Sequence, residues 1–388
     1  MSKPKVQRTI LFGVTIDYQL RYHDGLYQRL ADAGWDVHLV SGRGPIGTRL
    51  DQHRGITVHE IAMARNPAPW ADLKSLVAWI ELLRDLRPNV VVIGTPKAGL
   101  LGSIAAFLSG ARTRIYELHG LRLESASGSL HILLRSMERL TCAVSTTVVA
   151  VSHSLQQLAI REGLTHPNKI DVLGAGSPNG VNIEHYSRAS QDQATKTATR
   201  AALGIDEDVP IISFVGRLTA DKGLSALEEA MTLVGSTTPA HLLVIGAIDD
   251  ESGRLGAEAL RSALSRVSFT GEVDDVAEYL AITDVLCLPS RREGLPTVVL
   301  EAFAATVPVV GTRATGITDL VVDGETGLLV DIDDVDALRD ALLRILRDGE
   351  LARQLTGNAG RLVAKSYARD IVQQRWQQML EAGGTLVR

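Results

Sequence analysis

The chain has 388 residues, of which 45% are hydrophobic and 22% charged, a composition typical of a globular enzyme with two domains of ordinary size. Its 40 basic and 45 acidic residues give a formal net charge of -5. The chain as a whole therefore lacks the excess positive charge typical of nucleic-acid-binding proteins. No apolar run is long enough for a membrane span or a signal-peptide core. The two cysteines, Cys142 and Cys287, lie far apart inside apolar runs, so we expect buried thiols in a cytoplasmic protein.

Short β-rich apolar runs alternate with helical patterns along the chain, which is typical of βαβ units around parallel sheets. In the first half, strands are predicted at residues 8–14, 36–42, 56–63, 89–95, 112–120 and 146–153. In the second half, they are predicted at residues 211–218, 241–247, 266–273, 284–290, 307–312 and 327–332. Helical patterns lie between them, for example residues 22–34 and 334–349.

A Gly-, Pro- and Ser-rich start and a polar middle mark residues 174–205 as the predicted interdomain hinge. We place the boundary near residue 180, between residues 1–180 and residues 181–366. The pattern therefore predicts two Rossmann-like α/β domains. In such open sheets, ligands bind at the carboxyl ends of the strands, so functional residues are expected there.

The segment FVGRLTADKG follows the first predicted strand of the second half. Gly216 allows the backbone to turn sharply, and Arg217 offers a planar fork for two phosphate oxygens. Lys222 adds a compact positive charge near a helix start, which itself favours anions. The segment therefore suits a diphosphate, although a surface Arg and Lys beside an ordinary strand–helix turn would give the same spacing.

The segment EGLPTVVLEA places two glutamates around a predicted helix start at Pro296. Glu293 is predicted in the loop before the helix, and Glu301 about 7–8 Å further along the helix axis, so they do not flank one bond as an acid/base pair would. The free N–H groups near Thr297 and Val298 favour an anion or hydroxyl, and Glu293 can accept hydrogen bonds from a polyol. The alternative is a solvated Glu293 and a Glu301 paired with a surface Lys or Arg.

The first half offers two weaker candidates. His119 follows the fifth predicted strand, where its side chain can point into a ligand crevice. Gly13 ends the first strand, where a backbone can approach a phosphate. Either residue could equally be structural, and a lone histidine more often is.

Two further patterns resemble ligand-binding motifs, but each has a feature that disfavours that interpretation. Gly42, Gly44 and Gly47 have the G-x-G-x-x-G spacing with Glu60 downstream, but the motif contains Pro45 and follows the second strand instead of the first. Residues 331–334, DIDD, resemble a cation site but directly precede a helix, where an aspartate N-cap is the commoner structure. No HExxH, P-loop or paired Cys/His spacing is present, so we expect neither a dinucleotide cofactor nor a metal.

Four segments in register resemble the nucleotide-sugar domain of glycosyltransferase family 4: FVGRLTADKG, FTGEV, LPSRREGLPTVVLEAFAATVPVVGT and VVDGETGLLV. EGLPTVVLE fits the family's E-x7-E motif, and PNGVN is similar to its interdomain NGVD segment, with Asn182 where Asp is usual. This resemblance is strong over residues 170–365. ELHGLRLES and VVAVSHSLQQ in the first half resemble bacterial members that build surface polysaccharides or lipid-linked oligosaccharides.

The resemblance implies the GT-B fold, in which two Rossmann-like doubly wound domains face each other across a deep cleft. Residues 1–180 would bind the acceptor and residues 181–366 the nucleotide-sugar donor. The C-terminal helix, at about residues 367–388, would pack back on the first domain.

The resemblance also implies a role for each candidate residue. Arg217 and Lys222 would hold the diphosphate, Glu293 the donor-sugar hydroxyls, and Glu301 the ribose. His119 would reach the donor sugar near its C6 position, which makes the implied catalytic set His119, Arg217, Lys222 and Glu293. The other implied donor-binding positions are Gly13, Val273, Gly294, Leu295, Pro296 and Thr297.

The implied activity is a retaining, metal-independent hexosyl transfer without a cofactor. A sugar would move from a nucleotide sugar, most often a UDP-sugar, to a carbohydrate or polyprenyl-diphosphate-linked acceptor, in the cytoplasm or at the inner face of the cell membrane. One alternative is an epimerase or hydrolase of the same architecture, which would convert donor without acceptor. The other is a non-catalytic nucleotide-sugar-binding protein, in which the charged residues of the donor site should be damaged.

Residues 128–144 have an apolar stripe at helical spacing, formed by Leu130, Leu133, Leu134, Met137 and Leu140. Basic residues lie on the other faces and nearby, namely His131, Arg135, Arg139, Arg112, Arg114 and Arg122. Such a stripe is usually part of a core, and this is our expectation. The alternative is a basic, membrane-touching surface that meets a lipid-linked acceptor.

Overall fold

The computed structural model describes residues 8–64 and 68–384. The chain forms two compact units. The first contains the chain up to Asn179 together with the segment from Asp370 onward, and the second spans Gly180–Arg369.

The first unit is built on a parallel sheet. Its strands are β1 (Arg8–Gly13), β2 (Trp35–Ser41), β3 (Ile56–Glu60), β4 (Val90–Gly94), β5 (Thr113–Leu118), β6 (Thr147–Ala150) and β7 (Ile170–Val172). The seven strands lie in the order β3-β2-β1-β4-β5-β6-β7. Ile10 of β1 pairs with Val37 of β2 on one side and Val90 of β4 on the other, so the strand order reverses at β1. This reversal is the topological switch point of a doubly wound fold.

Helices cover both faces of this sheet. They are α1 (Leu26–Asp32), α2 (Pro45–Leu50), α3 (Pro69–Leu86), α4 (Pro96–Leu108), α5 (Gly128–Val144) and α6 (His153–Arg161), with 3-10 turns at Asp17–His23 and Arg122–Ser125. On one face, α3 and α4 pack over β1 and β4 around the fully buried Trp79. On the other face, α1 contributes Tyr27 and Leu30 to a second apolar core.

The second unit repeats the plan. Its strands are β8 (Ile211–Val215), β9 (His241–Ile245), β10 (Val267–Gly271), β11 (Val285–Leu288), β12 (Val309–Thr312) and β13 (Leu328–Val330). Its helices are α7 (Ile183–Gln191), α8 (Gln193–Leu203), α9 (Leu224–Gly235), α10 (Glu251–Ala263), α11 (Ala277–Leu280), α12 (Thr297–Ala304), α13 (Val335–Arg347) and α14 (Gly349–Leu362). The strand order is β10-β9-β8-β11-β12-β13, all parallel. The two doubly wound sheets confirm the predicted fold class.

The helix α15 (Arg369–Glu381) packs on the first unit. Its Val372 and Trp376 join the core formed by β1, β2 and α1, and Trp376 lies edge-on to His23 with ring centroids 5.0 Å apart. The Gln373 side-chain amide donates to the Asp24 carbonyl and the Asn179 side chain, both at 3.0 Å. These contacts bury apolar surface and satisfy the polar group that enters with it.

All twelve predicted strands are present, and the chain passes from one unit to the other between Asn179 and Gly180, within the predicted segment 174–205. The polar middle of that segment is helical, because α7 and α8 occupy it. Asn182 caps α7 by accepting from the His185 amide at 3.2 Å. Asp192 caps α8 through the amides of Ala194 and Thr195. Each helix buries a single side chain, so polar residues dominate its sequence and make it resemble a linker.

The expectation that the α5 stripe belongs to a core is also wrong. Leu130 and Leu133 are each 54% exposed and Leu140 is 46% exposed, whereas the residues that α5 buries are Thr141 and Cys142. Over residues 8–64 and 68–384, no helix has both the length and the apolar character needed to cross a membrane. Both cysteines are buried free thiols, as predicted.

Candidate functional site

Arg217 follows the central strand β8 of the second unit. Its guanidinium is 57% exposed and forms an ion pair with Asp249, which follows β9. The two strand ends approach closely: a Cβ at Gly246 would lie 2.0 Å from the Gly216 carbonyl oxygen. Glycine is therefore required at position 246, and it brings Asp249 and Arg217 to the same edge of the sheet.

Lys222 ends a 3-10 turn, Ala220–Lys222, and binds Glu293. The Lys222 Nζ lies 2.6 Å from Glu293 Oε1, and the two side chains are 14% and 12% exposed. Gly223 makes this contact possible, because its φ of +70° is left-handed and a Cβ there would lie 2.0 Å from the Pro289 carbonyl oxygen. Two residues that the sequence marks separately as ligand-binding candidates thus pair with each other.

The loop that carries Glu293 is fixed on both sides. The Glu293 backbone amide donates to the Thr315 carbonyl at 3.1 Å. Arg292 pairs with Asp221 at 2.9 Å, next to Lys222 in the sequence. Leu295 of the loop is buried, and Pro296 precedes the first residue of α12, Thr297. As predicted, Glu293 lies in the loop before the helix.

Glu301 is the fifth residue of α12, as predicted, but its surroundings differ from the alternative that paired it with a surface cation. The helix α7, which carries the buried Tyr186, packs against α12. Burial raises the pKa of Glu301 to about 7, and the nearby Asp275 carboxylate acts in the same direction. Glu301 is therefore a partly buried carboxyl group with a raised pKa.

Val273 lies just beyond β10, where the sequence predicts the FTGEV turn. It is half-buried and packs on a small core that includes Ile211 and Ile245. Two residues further on, the Asp275 carboxylate lies 2.6 Å from His185 Nε2. The turn is thus connected to α7 by a side-chain contact.

His119 of the first unit belongs to a buried cluster with Glu117 and His23. Glu117 Oε2 lies 2.7 Å from His23 Nε2 and 3.2 Å from His119 Nε2, and Glu117 is 2% exposed. Burial by itself would raise the pKa of Glu117, but the His119 and His23 imidazoles outweigh burial and hold that pKa well below its usual range. The carboxylate therefore stays ionised and orients both imidazoles.

The His119 ring is held from two further sides. It lies against Tyr22, with ring centroids 4.4 Å apart. A Cβ at Gly94, the last residue of β4, would lie 2.7 Å from His119 Nε2, so that glycine leaves room for the ring. Sequence analysis missed Glu117, His23 and Gly94. The signal that could have identified Glu117 is a charged residue next to the apolar centre of the strand β5.

Gly13 ends β1 and has a packing explanation. A Cβ there would lie 2.4 Å from the Trp79 ring carbon Cη2. Trp79 is fully buried between the sheet and α4. The indole therefore occupies the space that a larger residue at position 13 would need.

The glycine pattern at residues 42–47 and the DIDD segment at residues 331–334 have structural roles. The amides of Ile46 and Gly47, which begin α2, donate to the buried Asp17 carboxylate at 2.9 and 2.6 Å. Asp334 caps α13 by accepting from the Ala337 amide at 3.0 Å, as predicted. Within the part of the chain that the structure describes, no group of three or more His, Cys, Asp or Glu side chains is arranged to hold a metal ion.

In each unit, candidate ligand-binding side chains thus lie at the carboxyl edge of the sheet. In the second unit, Arg217, Lys222 and Glu293 follow neighbouring strands β8 and β11, at the carboxyl edge of the sheet. Cations beside a hydrogen-bond acceptor at such an edge suit a phosphorylated ligand. In the first unit, His119 follows β5 at the corresponding edge of its own sheet.

Comparison with known proteins gives matches over both units. Residues 20–176 match a family described as "Glycosyl transferase 4-like domain", and residues 195–361 match "Glycosyl transferases group 1". The chain is 33% identical over 377 residues to the capsular polysaccharide biosynthesis glycosyltransferase CapM of Staphylococcus aureus, covering 97% of this chain and 96% of that protein. It is 26% identical over 329 residues to the UDP-Gal:alpha-D-GlcNAc-diphosphoundecaprenol alpha-1,3-galactosyltransferase of Escherichia coli, covering 83% of each.

A solved structure with the same fold is Anabaena Alr3699/HepE in complex with UDP-glucose. The TM-score is 0.80 at 20% sequence identity, and the alignment covers 96% of this chain and 99% of that one.

Proposed function

This chain belongs to glycosyltransferase family 4, and from that membership we propose that it is a retaining hexosyltransferase using a UDP-sugar donor. The acceptor in this proposal is a carbohydrate, either free or linked through diphosphate to polyprenol, and the product belongs to a cell-surface polysaccharide or glycan. The observation that carries the proposal is the cluster of Arg217, Lys222 and Glu293 at one edge of the second sheet, with Glu301 on the helix that follows.

In this proposal the two cations act on the leaving group. Negative charge grows on the UDP oxygens as the bond to the sugar breaks, and Arg217 and Lys222 stabilise that charge at the transition state. Glu293 binds donor-sugar hydroxyls, since its carboxylate is held near Lys222 by the 2.6 Å contact. Glu301 binds the ribose, and the backbone around Val273 binds the base.

No metal or cofactor takes part in the proposed reaction, because the cations Arg217 and Lys222 supply the charge that a metal would otherwise supply. No protein nucleophile is required either. The acceptor hydroxyl attacks from the face that the phosphate leaves, and a phosphate oxygen takes its proton. In the first unit, His119 is proposed to bind a sugar hydroxyl, and Gly13 to line the phosphate.

The lipid-linked acceptor is supported by the exposed side of α5. Leu130, Ile132 and Leu133 are 54%, 66% and 54% exposed, and Arg139 is exposed on the same helix. Apolar side chains interspersed with positive charge suit the surface of an anionic membrane. The relative from Escherichia coli is named for an acceptor linked to diphosphoundecaprenol. We therefore propose peripheral membrane contact through α5.

The donor proposal is tested by thermal shift with UDP-sugars, GDP-sugars and ADP-sugars, followed by turnover assays. A donor at 100 times its Kd should stabilise the protein by about 2.7 kcal/mol. Arg217→Ala should lower turnover by about 100-fold or more. Arg254→Ala is the matched control, because Arg254 pairs with Glu251 and Glu258 on the surface of α10. Normal turnover in Arg217→Ala, with both variants folded, would overturn the proposal.

A donor-only assay separates this proposal from an epimerase or hydrolase. A transferase converts UDP-sugar rapidly only when acceptor is present, whereas fast conversion without acceptor would replace the proposal. The anomeric configuration of the product, measured by NMR, tests retention. Activity that is unchanged in EDTA is expected, and activity that EDTA abolishes and Mg²⁺ restores would contradict the metal-independent reaction.

The membrane proposal is tested by flotation with vesicles of phosphatidylglycerol and phosphatidylethanolamine. Leu133→Glu should reduce the floated fraction severalfold, because it places a negative charge on the exposed face of α5. Leu233→Glu is the matched control, since Leu233 is 36% exposed on α9 of the second unit. Equal flotation of both variants and the unmodified protein would refute contact through α5.

A further inference from the structure

Two neighbouring ion pairs join the turn after β8 to the loop after β11. Asp221 and Lys222 are consecutive in the turn, and Arg292 and Glu293 are consecutive in the loop. Arg292 Nη2 lies 2.9 Å from Asp221 Oδ2, and Lys222 Nζ lies 2.6 Å from Glu293 Oε1. The acidic residue comes first in the turn and second in the loop, so each carboxylate faces a cation.

This order of charges favours one alignment of the turn and the loop. A shift by one residue in either direction would place Asp221 opposite Glu293 or Lys222 opposite Arg292. Facing like charges are unfavourable, so complementary charges fix the register between two segments. The four side chains are between 12% and 23% exposed, and salt screens such sheltered charges less than it screens fully exposed ones.

Asp221 is attached to its surroundings by more than this ion pair. Its carbonyl oxygen accepts from the Arg291 amide of the loop at 2.8 Å. Its carboxylate accepts from the Thr219 hydroxyl at 2.6 Å, within the turn itself. The residue therefore contacts the loop through both its backbone and its side chain, and its side chain is oriented from the turn.

We propose that Asp221 and Arg292 are positioning residues for the donor. Their ion pair, here called the anchoring pair, sets the spacing between Lys222 and Glu293, and thereby the spacing between the diphosphate and the hydroxyls of the transferred sugar. The inference rests on the proposed function, since it takes Lys222 as a diphosphate-binding residue and Glu293 as a sugar-binding residue.

Lys222 and Glu293 can bind the donor while they stay in contact with each other. An ammonium group has three N–H donors, and in the described part of the chain the Lys222 side chain uses one of them, for Glu293 Oε1. The carboxylate has a second oxygen that can accept from a sugar hydroxyl. The position of this pair therefore determines how far apart phosphate and sugar are held.

The Lys222 contact by itself does not fix that position. A lysine has a flexible four-carbon stem, so its ammonium group can follow a moving carboxylate. The anchoring pair combines a short aspartate with a planar guanidinium, which is pre-organised and loses less freedom on binding. It therefore holds the turn and the loop more rigidly. Rigid spacing matters because a misplacement of about 1 Å can lower the rate of a reaction by about 100-fold.

A direct contact between Arg292 and the donor is the alternative role. The Arg292 Nε atom is buried and has no hydrogen-bond partner within residues 8–64 and 68–384. A direct contact with the sugar would persist in a protein that lacks the Glu293 carboxylate. The anchoring pair, in contrast, affects sugar binding only through Glu293.

The test compares the binding of UDP and of UDP-sugars by isothermal titration calorimetry. UDP-glucose, UDP-galactose and UDP-N-acetylglucosamine are tried, and the one that the unmodified protein binds most tightly is kept. Arg292→Gln and Asp221→Asn should each weaken binding of this UDP-sugar by about 10-fold, as expected when a charged hydrogen bond is misaligned. UDP has no sugar to misplace, so its binding should weaken by less than about 3-fold. The double variant should lose no more than either single variant, because both break the same pair.

Arg313→Gln is the matched control. Arg313 follows β12 at the same edge of the sheet and pairs with Asp323 at 2.8 Å, outside the anchoring pair. Its substitution should leave the ratio of the UDP-sugar and UDP affinities unchanged. In a Glu293→Gln background, adding Arg292→Gln should change this ratio by less than about 2-fold, because the anchoring pair acts through the carboxylate.

A measurement without ligand checks the geometry separately. The coupling between Lys222→Met and Glu293→Gln, obtained from urea denaturation, should fall by about half or more when Arg292→Gln is added. The reason is that turn and loop are then free to move apart. An unchanged coupling would overturn the inference, whichever nucleotide the protein binds.

The ligand measurements have equally definite outcomes. Equal weakening of UDP and UDP-sugar, additive effects of Arg292→Gln and Asp221→Asn, or an unchanged ratio in both folded variants would overturn the inference while the proposed function stands. If Arg292→Gln does not fold, Arg292→Lys and Asp221→Asn decide by the same ratios, with a smaller change in the lysine variant, which keeps the charge. An unmodified protein that binds neither UDP nor a UDP-sugar would overturn both proposals.

Discussion

Two glutamates, one in each unit, have opposite pKa shifts because their surroundings differ. Glu117 lies between two imidazoles, which hold its pKa well below the usual range despite burial. Glu301 is partly buried with the Asp275 carboxylate nearby, and burial raises its pKa to about 7. Burial alone therefore does not decide the charge. The neighbouring charges also do, and the two glutamates therefore contribute to stability with opposite pH dependence.

The largest effect is expected at Glu117. Glu117→Gln removes the charge that both imidazoles face and should lower the free energy of unfolding of the first unit by about 3 kcal/mol at pH 7. All four tryptophans, at positions 35, 70, 79 and 376, belong to the first unit, so fluorescence-detected urea denaturation reports on that unit. Glu60→Gln is the control, because Glu60 is half-exposed in a 3.7 Å ion pair with Arg43 and should change stability by less than about 0.5 kcal/mol.

The lowered pKa of Glu117 determines how its contribution to stability changes with pH. Because its folded pKa is depressed, Glu117 contributes stability that is present above its unfolded pKa of about 4.3 and is lost as the pH falls towards the folded value. The gap between the unmodified protein and Glu117→Gln should therefore narrow below about pH 4. A gap that widens with acid would show that the carboxylate is not held ionised.

A smaller effect of the opposite sign is expected at Glu301. Its folded pKa is raised, so its stabilising contribution is complete below the unfolded pKa and is lost as the pH rises through about 7. Between pH 5 and pH 8, Glu301→Gln should gain roughly 1 to 3 kcal/mol of stability relative to the unmodified protein. Amide hydrogen exchange of residues 297–304 measures this locally.

Glu229→Gln, on the exposed side of α9, serves as the control for Glu301 and should show no such trend. A pH-independent difference for Glu301→Gln would mean that Glu301 is ionised throughout this range. The contrast between Glu117 and Glu301 would then disappear.

The smallest effect is expected at Glu293, an intermediate case with a cationic partner and a partly buried position. A double-mutant cycle with Lys222→Met and Glu293→Gln should give a coupling of about 1 kcal/mol, measured by urea denaturation followed by circular dichroism. The coupling should fall between 0.05 and 0.5 M salt, as expected for a pair near the surface. A coupling of zero would mean that the 2.6 Å contact does not stabilise the unit.

The strands of both sheets were predictable because a buried parallel strand is a short continuous apolar run, such as residues 285–288 or 90–94. The strand β7 was missed because it has three residues and follows a polar turn. The apolar stripe of α5 has the same periodicity whether it faces a core or solvent, so spacing alone could not decide its environment.

The candidate residues of the second unit were identified from sequence because recurring segments contain them. Their partners were not, since hydrogen-bonding partners can be distant in the chain: His23 and Glu117 are 94 positions apart, and Lys222 and Glu293 are 71 apart. Spacing identifies residue types along a segment, whereas the pairing of side chains depends on how the strands are ordered in the sheet.

The return of α15 to the first unit has a consequence for synthesis. Trp376 and Val372 complete the core around β1, although almost the whole second unit is translated before them. The earlier-made unit therefore cannot close its core on the ribosome until the later-made unit has been synthesised. During that interval the apolar surfaces of Phe12 and Tyr27 are uncovered, so a nascent chain halted near residue 369 should bind chaperones through its older half.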